Sequence, residues 1–386
     1  MMKKQLLHTV LFGLLLGSAM TAQALEIGTK ISTPCPFGEC QNAFELSYFG
    51  EVDVPTDTFF QNVEVGGLSG IDYDPQTGHY IAISDDRSEK GPTRFYTLSL
   101  DFTKEGLKAV HILKSTTLLT KQGKPFGKMM ADSESIRVFN GKVLWTSEGW
   151  GSHEIPPFVR IADMNGHFIR EFTLPKGFAP TKNHKSGIRD NLAFEGSTVL
   201  PDGDILIGME IALYQDGPIP SLLHGSLARI IRYDAQTGKP KAEYVYPVSP
   251  IPQAAATSKG GNDNGVSEIY ALDNTHYLAL ERGGAEGVGN YAKLFLVDIS
   301  GATDVSNIAS LIHSKQRIVP VRKTLVLNIR ALGIKPDNLE GVTIGKTKAG
   351  QEVLIIEADN NFNKHETNQF LAFKVLKRPG LNRPVN

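Results

Sequence analysis

Residues 190–210 read D-N-L-A-F-E-G-S-T-V-L-P-D-G-D-I-L-I-G-M-E. The stretch holds a carboxylate (Glu195), a short apolar strand, a Pro-Asp-Gly turn, a second apolar strand and a second carboxylate (Glu210). In an antiparallel hairpin the start of one strand lies beside the end of the next. Glu195 and Glu210 are therefore expected at the same end of one hairpin. The same grammar occurs four more times: Glu134 to Glu148, Glu268 to Glu281, Glu340 to Glu357, and Ser69 to Asp85 and Asp86. Only the Ser69 unit lacks an acidic first residue.

The units start at 69, 134, 195, 268 and 340, a spacing of about 60–70 residues. Self-similarity at long period marks a repeat architecture, and this spacing leaves room for four strands per unit with generous loops. Second strand pairs follow each hairpin: Phe95–Leu100 with Ala109–Leu113, Phe158–Asp163 with Phe168–Leu174, and Ile230–Asp234 with Ala242–Tyr246. Leu294–Asp298 finds its partner near Thr324–Ile329. The turns Asp74–Gly78, Asp163–Gly166 and Asp234–Gly238 have hairpin chemistry rather than the ligand run of a calcium loop. The last unit, with Gln369–Val375, runs out of chain one strand short, and Phe44–Val54 can supply it. The expected fold is all-β: a β-propeller with five detectable four-stranded blades, its ring closed by the N-terminal strand. The poorly patterned stretches 114–130, 247–262 and 302–330 leave room for a sixth.

Residues 1–24 combine Lys3 and Lys4, an apolar run over Val10–Met20 and the cleavage pattern Ala22-Gln23-Ala24. This reads as a bacterial-type signal peptide, with the protein exported to the periplasm or medium. No other segment is long enough to span a bilayer. Removal of the leader leaves 38 basic and 41 acidic side chains, a formal charge of −3. That balance argues against a nucleic-acid binder. Residues 25–42 carry the only two cysteines, Cys35 and Cys40, whose spacing in an exported chain suggests a small disulfide loop. The propeller is expected over 43–376 and a loose tail over 377–386.

In a propeller the first strand of each blade lines the central channel. Glu134, Glu195, Glu268 and Glu340 are thus expected around one channel mouth. Asp85, Asp86, Glu148, Glu210, Glu281, Glu357 and Asp359 would surround them. So many carboxylates cannot all ionise at close range without cations. Arg87, Arg189 and Arg282 each adjoin a repeated acidic position, and Arg160 and Arg232 lie on third strands. All-oxygen ligands suit Ca²⁺, or Mg²⁺, better than zinc. The bland alternative is that each Glu ties loop backbone amides together. A G-x-S-x-G elbow and an H-E-x-x-H pair are absent, and Gly283–Gly289 precedes a strand rather than a helix. His153 and His184 fall in loops.

Gly67-Leu-Ser-Gly-Ile71, Asp132-Ser-Glu-Ser-Ile136, Asn191-Leu-Ala-Phe-Glu-Gly196, Gly265-Val-Ser-Glu-Ile269, Asn338-Leu-Glu-Gly-Val342 and Glu357-Ala-Asp-Asn-Asn-Phe362 with Gln369-Phe-Leu-Ala-Phe373 occur in that order. Together they resemble the esterase-like phytase (phytase-like) family of exported bacterial proteins, over about residues 43–376. The resemblance implies a propeller that hydrolyses phosphate esters or other esters. It is compatible with calcium held by acidic residues. The resulting expectation is a monomeric phosphoesterase acting on a small phosphorylated substrate. Glu134, Glu195, Glu268 and Glu340 would be ligands or base, Arg87, Arg189 and Arg282 would bind phosphate, and the remaining acids would hold metal. A non-catalytic propeller that binds a ligand or partner protein is the alternative, and a carboxylesterase the third reading.

Overall fold

A computed structural model describes residues 25–34, 37 and 43–380. The expected leader 1–24, the expected Cys35–Cys40 bridge and residues 381–386 of the expected tail lie outside the described residues. Among the described residues five antiparallel sheets form the blades, and a two-stranded ribbon, Phe59–Phe60 with Val63–Glu64, precedes blade one. Blade one comprises Leu68–Asp74, His79–Ser84, Arg94–Thr103 and Gly106–Thr117. Blade two comprises Ser133–Phe139, Lys142–Ser147, Phe158–Asp163 and Phe168–Glu171. Blade three comprises Phe194–Val199, Ile205–Met209, Ser226–Asp234 and Lys239–Val248. Blade four comprises Gly265–Ala271, His276–Ala285, Gly289–Asp298 and Arg322–Asn328. Blade five comprises Asn338–Lys346, Glu352–Asp359 and Asn368–Lys377, and Phe44–Val54 adds its fourth strand. The inner strands adjoin in sequence, and the fifth returns to the first, so the ring closes.

Three details refine the expectation. Lys30–Thr33 adds a fifth strand to blade five, against Phe44–Val54. No sixth four-stranded sheet occurs among the described residues; segment 302–330 instead delivers the outer strand of blade four. The last strand runs through Lys377, where the tail was expected to start, and Arg378 still pairs with Glu352 at 3.0 Å. Among the described residues helix is confined to three-residue 3₁₀ turns, and no described helix is long and apolar enough to cross a membrane.

Local chemistry explains the hairpins. In blade one Asp74 caps its own turn: Oδ1 accepts from Gln76 N at 2.9 Å and Oδ2 from Thr77 Oγ1 at 2.8 Å. Gly78 closes it at φ +74°, a conformation that needs no Cβ. Between blades one and two, Ile81, Ile83 and Phe95 share one buried cluster with Ile136, Val143 and Trp145, and Trp145 stands edge-on to Phe126 and Phe158. Each fully buried aromatic or aliphatic side chain contributes about 1.5–3 kcal/mol.

The axis is filled rather than open. A Cβ on Gly70 would lie 2.7 Å from the Glu134 carbonyl oxygen, and one on Gly196 would lie 2.6 Å from Ile269 N. Inner strands of neighbouring blades therefore touch backbone to backbone at that level. One layer further in sits Arg137, on the inner strand of blade two. Its guanidinium donates to Ile71 O (2.6 Å, blade one), Ser197 O (2.6 Å, blade three), Ile269 O (2.9 Å, blade four) and Val342 O (3.1 Å, blade five). One side chain thus joins all five blades.

Candidate functional site

Each inner hairpin breaks register at the same place. Leu68 pairs with Ser84 but Gly70 with Ile83, and Leu339 pairs with Ala358 but Gly341 with Glu357. Equivalent bulges lie between Trp145 and Ser147, between Phe194 and Ser197, and between Val266 and Glu268. A bulge re-aims the extra residue. Aligned on these bulges, the first ring is Ser69, Glu134, Glu195, Ser267 and Glu340. One residue past the pair that precedes each bulge (Leu68–Ser84, Ser133–Ser147, Phe194–Met209, Val266–Glu281 and Leu339–Ala358) stands a second ring: Asp85, Glu148, Glu210, Arg282 and Asp359.

The two rings bound a cavity of about 270 Å³ at one end of the axis. Asp85, Glu134, Glu195, Glu340 and Asp359 line it, joined by Asp263 and Glu366 from loops and by Arg87 and Arg282. Seven carboxylates thus face two guanidinium groups. Arg282 reaches across, with Nη1 3.1 Å from Glu210 Oε1 and Nη2 2.8 Å from Glu340 Oε1. Arg87 lies 2.5 Å from Asp132 Oδ2 and 3.9 Å from Glu148 Oε1, and also bonds Asn191. Asp85, Glu134, Glu195 and Asp359 have no ion pair among the described residues.

Beneath the wall, two triads of buried acids share Glu148. Asp132, Glu134 and Glu148 bring ligand oxygens within 4.8 Å of one another, and Glu148, Glu195 and Glu210 do the same. Glu148 Oε2 accepts one backbone bond, from Ala193 N at 3.0 Å. Asp132 Oδ1 is buried with no hydrogen-bond partner. Burial pushes the Glu134, Glu148 and Glu195 carboxyls well above the usual carboxylate range, reinforced by neighbouring acids: Glu195, Asp132 and Glu210 respectively. Asp85 and Asp359 rise for the same reasons. Burial lifts Glu210 to about 7, although Arg282 opposes the rise.

The sign of the pH effect follows. A carboxyl lifted from 4.5 to about 7 on folding stabilises the folded state below pH 4.5 and loses that contribution as pH rises through 7. The chelated protein is therefore expected to melt several degrees higher at pH 5.5 than at pH 8. Thermal melting in buffer with chelator checks this, and a flat or inverted profile would contradict it.

Several expected residues fall elsewhere. Glu268 is not at the mouth. It stands one residue past the bulge, and a one-residue shift turns a side chain to the opposite face. Its Oε2 lies 2.7 Å from Arg137 Nη2, its Oε1 accepts from Ser197 N and Ile269 N at 2.9 Å, and Ser135 Oγ lies 3.1 Å away. Burial raises it to about 7 against the pull of Arg137. Glu281 is spent between blades three and four, on Tyr246 OH, Asn264 Nδ2, Ser249 N and Lys323. Asp86 pairs with Arg94 at 2.6 Å and caps the amides of Glu89, Lys90 and Gly91. Glu357 is fully buried with neither oxygen bonded, and burial holds it well above the usual range. Arg189 donates to Ala212 O and Gly217 O over the Tyr214 ring, away from the cavity. Arg160 pairs with Glu171, and Arg232 with Asp202 and Asp204, so neither points into the mouth. His153 packs on Trp150 and His184 on Tyr214.

Sequence reading missed Asp132, Asn191, Asp263, Asn338 and Glu366. A signal existed for two of them. Asp132 and Asn338 stand two residues before Glu134 and Glu340, as Gly67, Ala193 and Gly265 stand before Ser69, Glu195 and Ser267. Asp263 and Glu366 arrive on loops outside the repeat.

Comparison with known proteins places this geometry in context. An uncharacterized secreted protein of Arthroderma benhamiae is 26% identical over 183 residues, covering 40% of this chain and 35% of that protein. The chain thus spans about a third of that relative's length. Among solved structures, a xylan β-1,4-xylosidase from Bacillus halodurans matches with a TM-score of 0.43 and 13% identity, covering 79% of this chain and 50% of that one. The Dos1 propeller gives 0.34 and 9%, covering 89% and 78%. An exo-1,5-α-L-arabinanase from a bovine ruminal metagenomic library gives 0.42 and 8%, covering 85% and 100%. A family profile described as phytase-like, esterase-like activity of phytase, matches residues 63–362. This chain, a five-bladed propeller with an acid-lined mouth, belongs to the phytase-like family.

Proposed function

We propose that the protein is an exported hydrolase of phosphate esters, working through a divalent cation at the propeller mouth. The observation that supports this is the charge imbalance of the cavity, seven carboxylates against two guanidinium groups. A phosphate ester could not enter such a mouth without added positive charge. The donor set fits a hard cation: the two triads offer only carboxylate oxygens, and Asp132 Oδ1 is buried without a donor. Ca²⁺ suits such flexible oxygen cages, and Mg²⁺ would need more water in its shell. When bound, the ion would neutralise the acids, hold phosphate oxygens and lower the pKa of an attacking water.

The chain's own residues have separable tasks in this reading. Glu148, common to both triads, and Asp132 would hold the cation. Arg87 and Arg282 already face the cavity and would turn a donor toward phosphate oxygens, as charge-assisted bonds favour. Glu195, beside Glu210 in a low-dielectric wall, would take the proton from the attacking water, since a carboxyl lifted toward neutrality is a competent base. Glu340 is oriented by Arg282 and by Asn338 Nδ2 at 2.9 Å. Glu268 has no part in the chemistry, because its oxygens are committed to Arg137 and backbone amides.

The test is phosphate release from phytate and from small phosphomonoesters, with chelator and after return of Ca²⁺ or Mg²⁺. Turnover that disappears with chelator and returns with the ion is expected. No turnover on any phosphoester with either ion would overturn the proposal. Tight ligand binding by calorimetry without turnover would then favour a binding protein.

A further inference from the structure

The loop Gly217–Gly225, G-P-I-P-S-L-L-H-G, joins the second and third strands of blade three. It follows Glu210 closely and so lies on the mouth face, at the rim. Ser221 fixes its tip: Oγ accepts from Leu223 N and His224 N, both at 3.1 Å, and Ile251 N bonds Ser221 O at 2.9 Å. The leucines are thus held outward by a built turn. Leu223 is 93% exposed, and Leu222 and Ile219 are each 50% exposed.

A second segment, 299–321, climbs the outer edge of the same blade. Val305 N bonds Glu243 O at 2.8 Å, Ser310 Oγ bonds Gln215 O at 2.5 Å and Leu311 N bonds Asp216 Oδ1 at 2.9 Å. This brings Ile312, 52% exposed, against Gly217. Beyond it His313, Lys315 and Arg317 are exposed. Neither Lys315 nor Arg317 forms an ion pair among the described residues. Residues 217–225 and 305–321 contain no Asp or Glu. The acids that adjoin the two segments in sequence are turned inward: Asp216 onto Arg229 and Asp304 onto the amides of Glu243 and Ser306.

Single exposed aliphatics are ordinary on a protein surface. Four together, braced by turn hydrogen bonds and fringed by cations with no anions between, are the pattern of a surface that enters a lipid interface. We propose that this rim of blade three docks the protein on an anionic lipid surface, with Leu222 and Leu223 inserted and Lys315 and Arg317 over the headgroups.

The test is co-sedimentation of the purified protein with vesicles of phosphatidylcholine alone and of phosphatidylcholine with phosphatidylglycerol at 3:1. Chelator is present throughout, so that no cation can bridge the mouth to lipid phosphate. The protein should pellet with the anionic vesicles, stay in solution with the neutral ones, and be released by high salt. Leu222→Asp/Leu223→Asp should weaken binding at least tenfold. Lys315→Gln/Arg317→Gln should weaken it about 30-fold, from the usual contribution of each basic residue at an anionic surface. Both double variants should melt like the parent and release phosphate from soluble substrate at the parent's rate. Wild-type protein left in the supernatant with anionic vesicles, or variants that pellet as well as wild type, would overturn the proposal. Equal pelleting with neutral vesicles would overturn the requirement for negative charge.

Discussion

Arg137→Met is expected to destabilise the folded protein by about 3–5 kcal/mol, the usual cost of removing one partner from a buried ion pair. Two losses combine. Glu268, fully buried, is left without its cation, and four carbonyls from blades one, three, four and five lose their donor. An unsatisfied buried acceptor costs about 1–3 kcal/mol before relaxation. The double variant Arg137→Met/Glu268→Gln should recover part of the loss, because the stranded charge goes while the carbonyls stay unpaired. Urea unfolding of the two variants beside the parent measures this. A loss below about 1 kcal/mol in the single variant would show that the five blades hold together without their shared guanidinium.

Glu195→Gln is expected to separate stability from activity. The substitution keeps shape and removes a negative charge that Glu210, Glu148 and Glu340 all oppose. In chelator at pH 8 the variant should therefore melt at a higher temperature than the parent. Phosphate release should fall by about 10²–10⁴, the contribution of a positioned base. A structural Glu would behave in the opposite way, with lower stability and little change in rate. That outcome, measured by thermal melting and phosphate assay on one preparation, would remove Glu195 from the proposed chemistry.

The five-fold repeat was legible because hairpin turns and apolar strands obey local rules. Asp74–Gly78 and Asp234–Gly238 form the turns their residues demand, and Phe44–Val54 completes the last blade. The site was legible in outline and displaced in detail. Glu268 resembles Glu134 when both are read as Ser-Glu-x-Ile or Ser-Glu-Ile, yet the bulge counts from the apolar anchor. Two residues before Ile71, Ile136, Ile269 and Val342 stand Ser69, Glu134, Ser267 and Glu340. The offset could have been found by that count. The second ring slipped in the same way: Arg282 rather than Glu281 occupies the mouth in blade four, and Asp359 rather than Glu357 in blade five. The loop residues Asp263 and Glu366 had no such signal, since tertiary closure alone brings them to the cavity. The role of Arg137 was equally hidden, because nothing in a lone Arg after Ile136 reveals the four carbonyls gathered around it.

The final blade borrows Phe44–Val54 from the far end of the polypeptide, between which and Asn368–Lys377 lie more than three hundred residues. Neither end can complete its sheet until the other is present, so the ring behaves as a latch. A nascent chain cannot close the ring until the strand that ends at Lys377 has emerged. Clipping either terminal strand would expose a long unpaired edge and invite joining to a second copy.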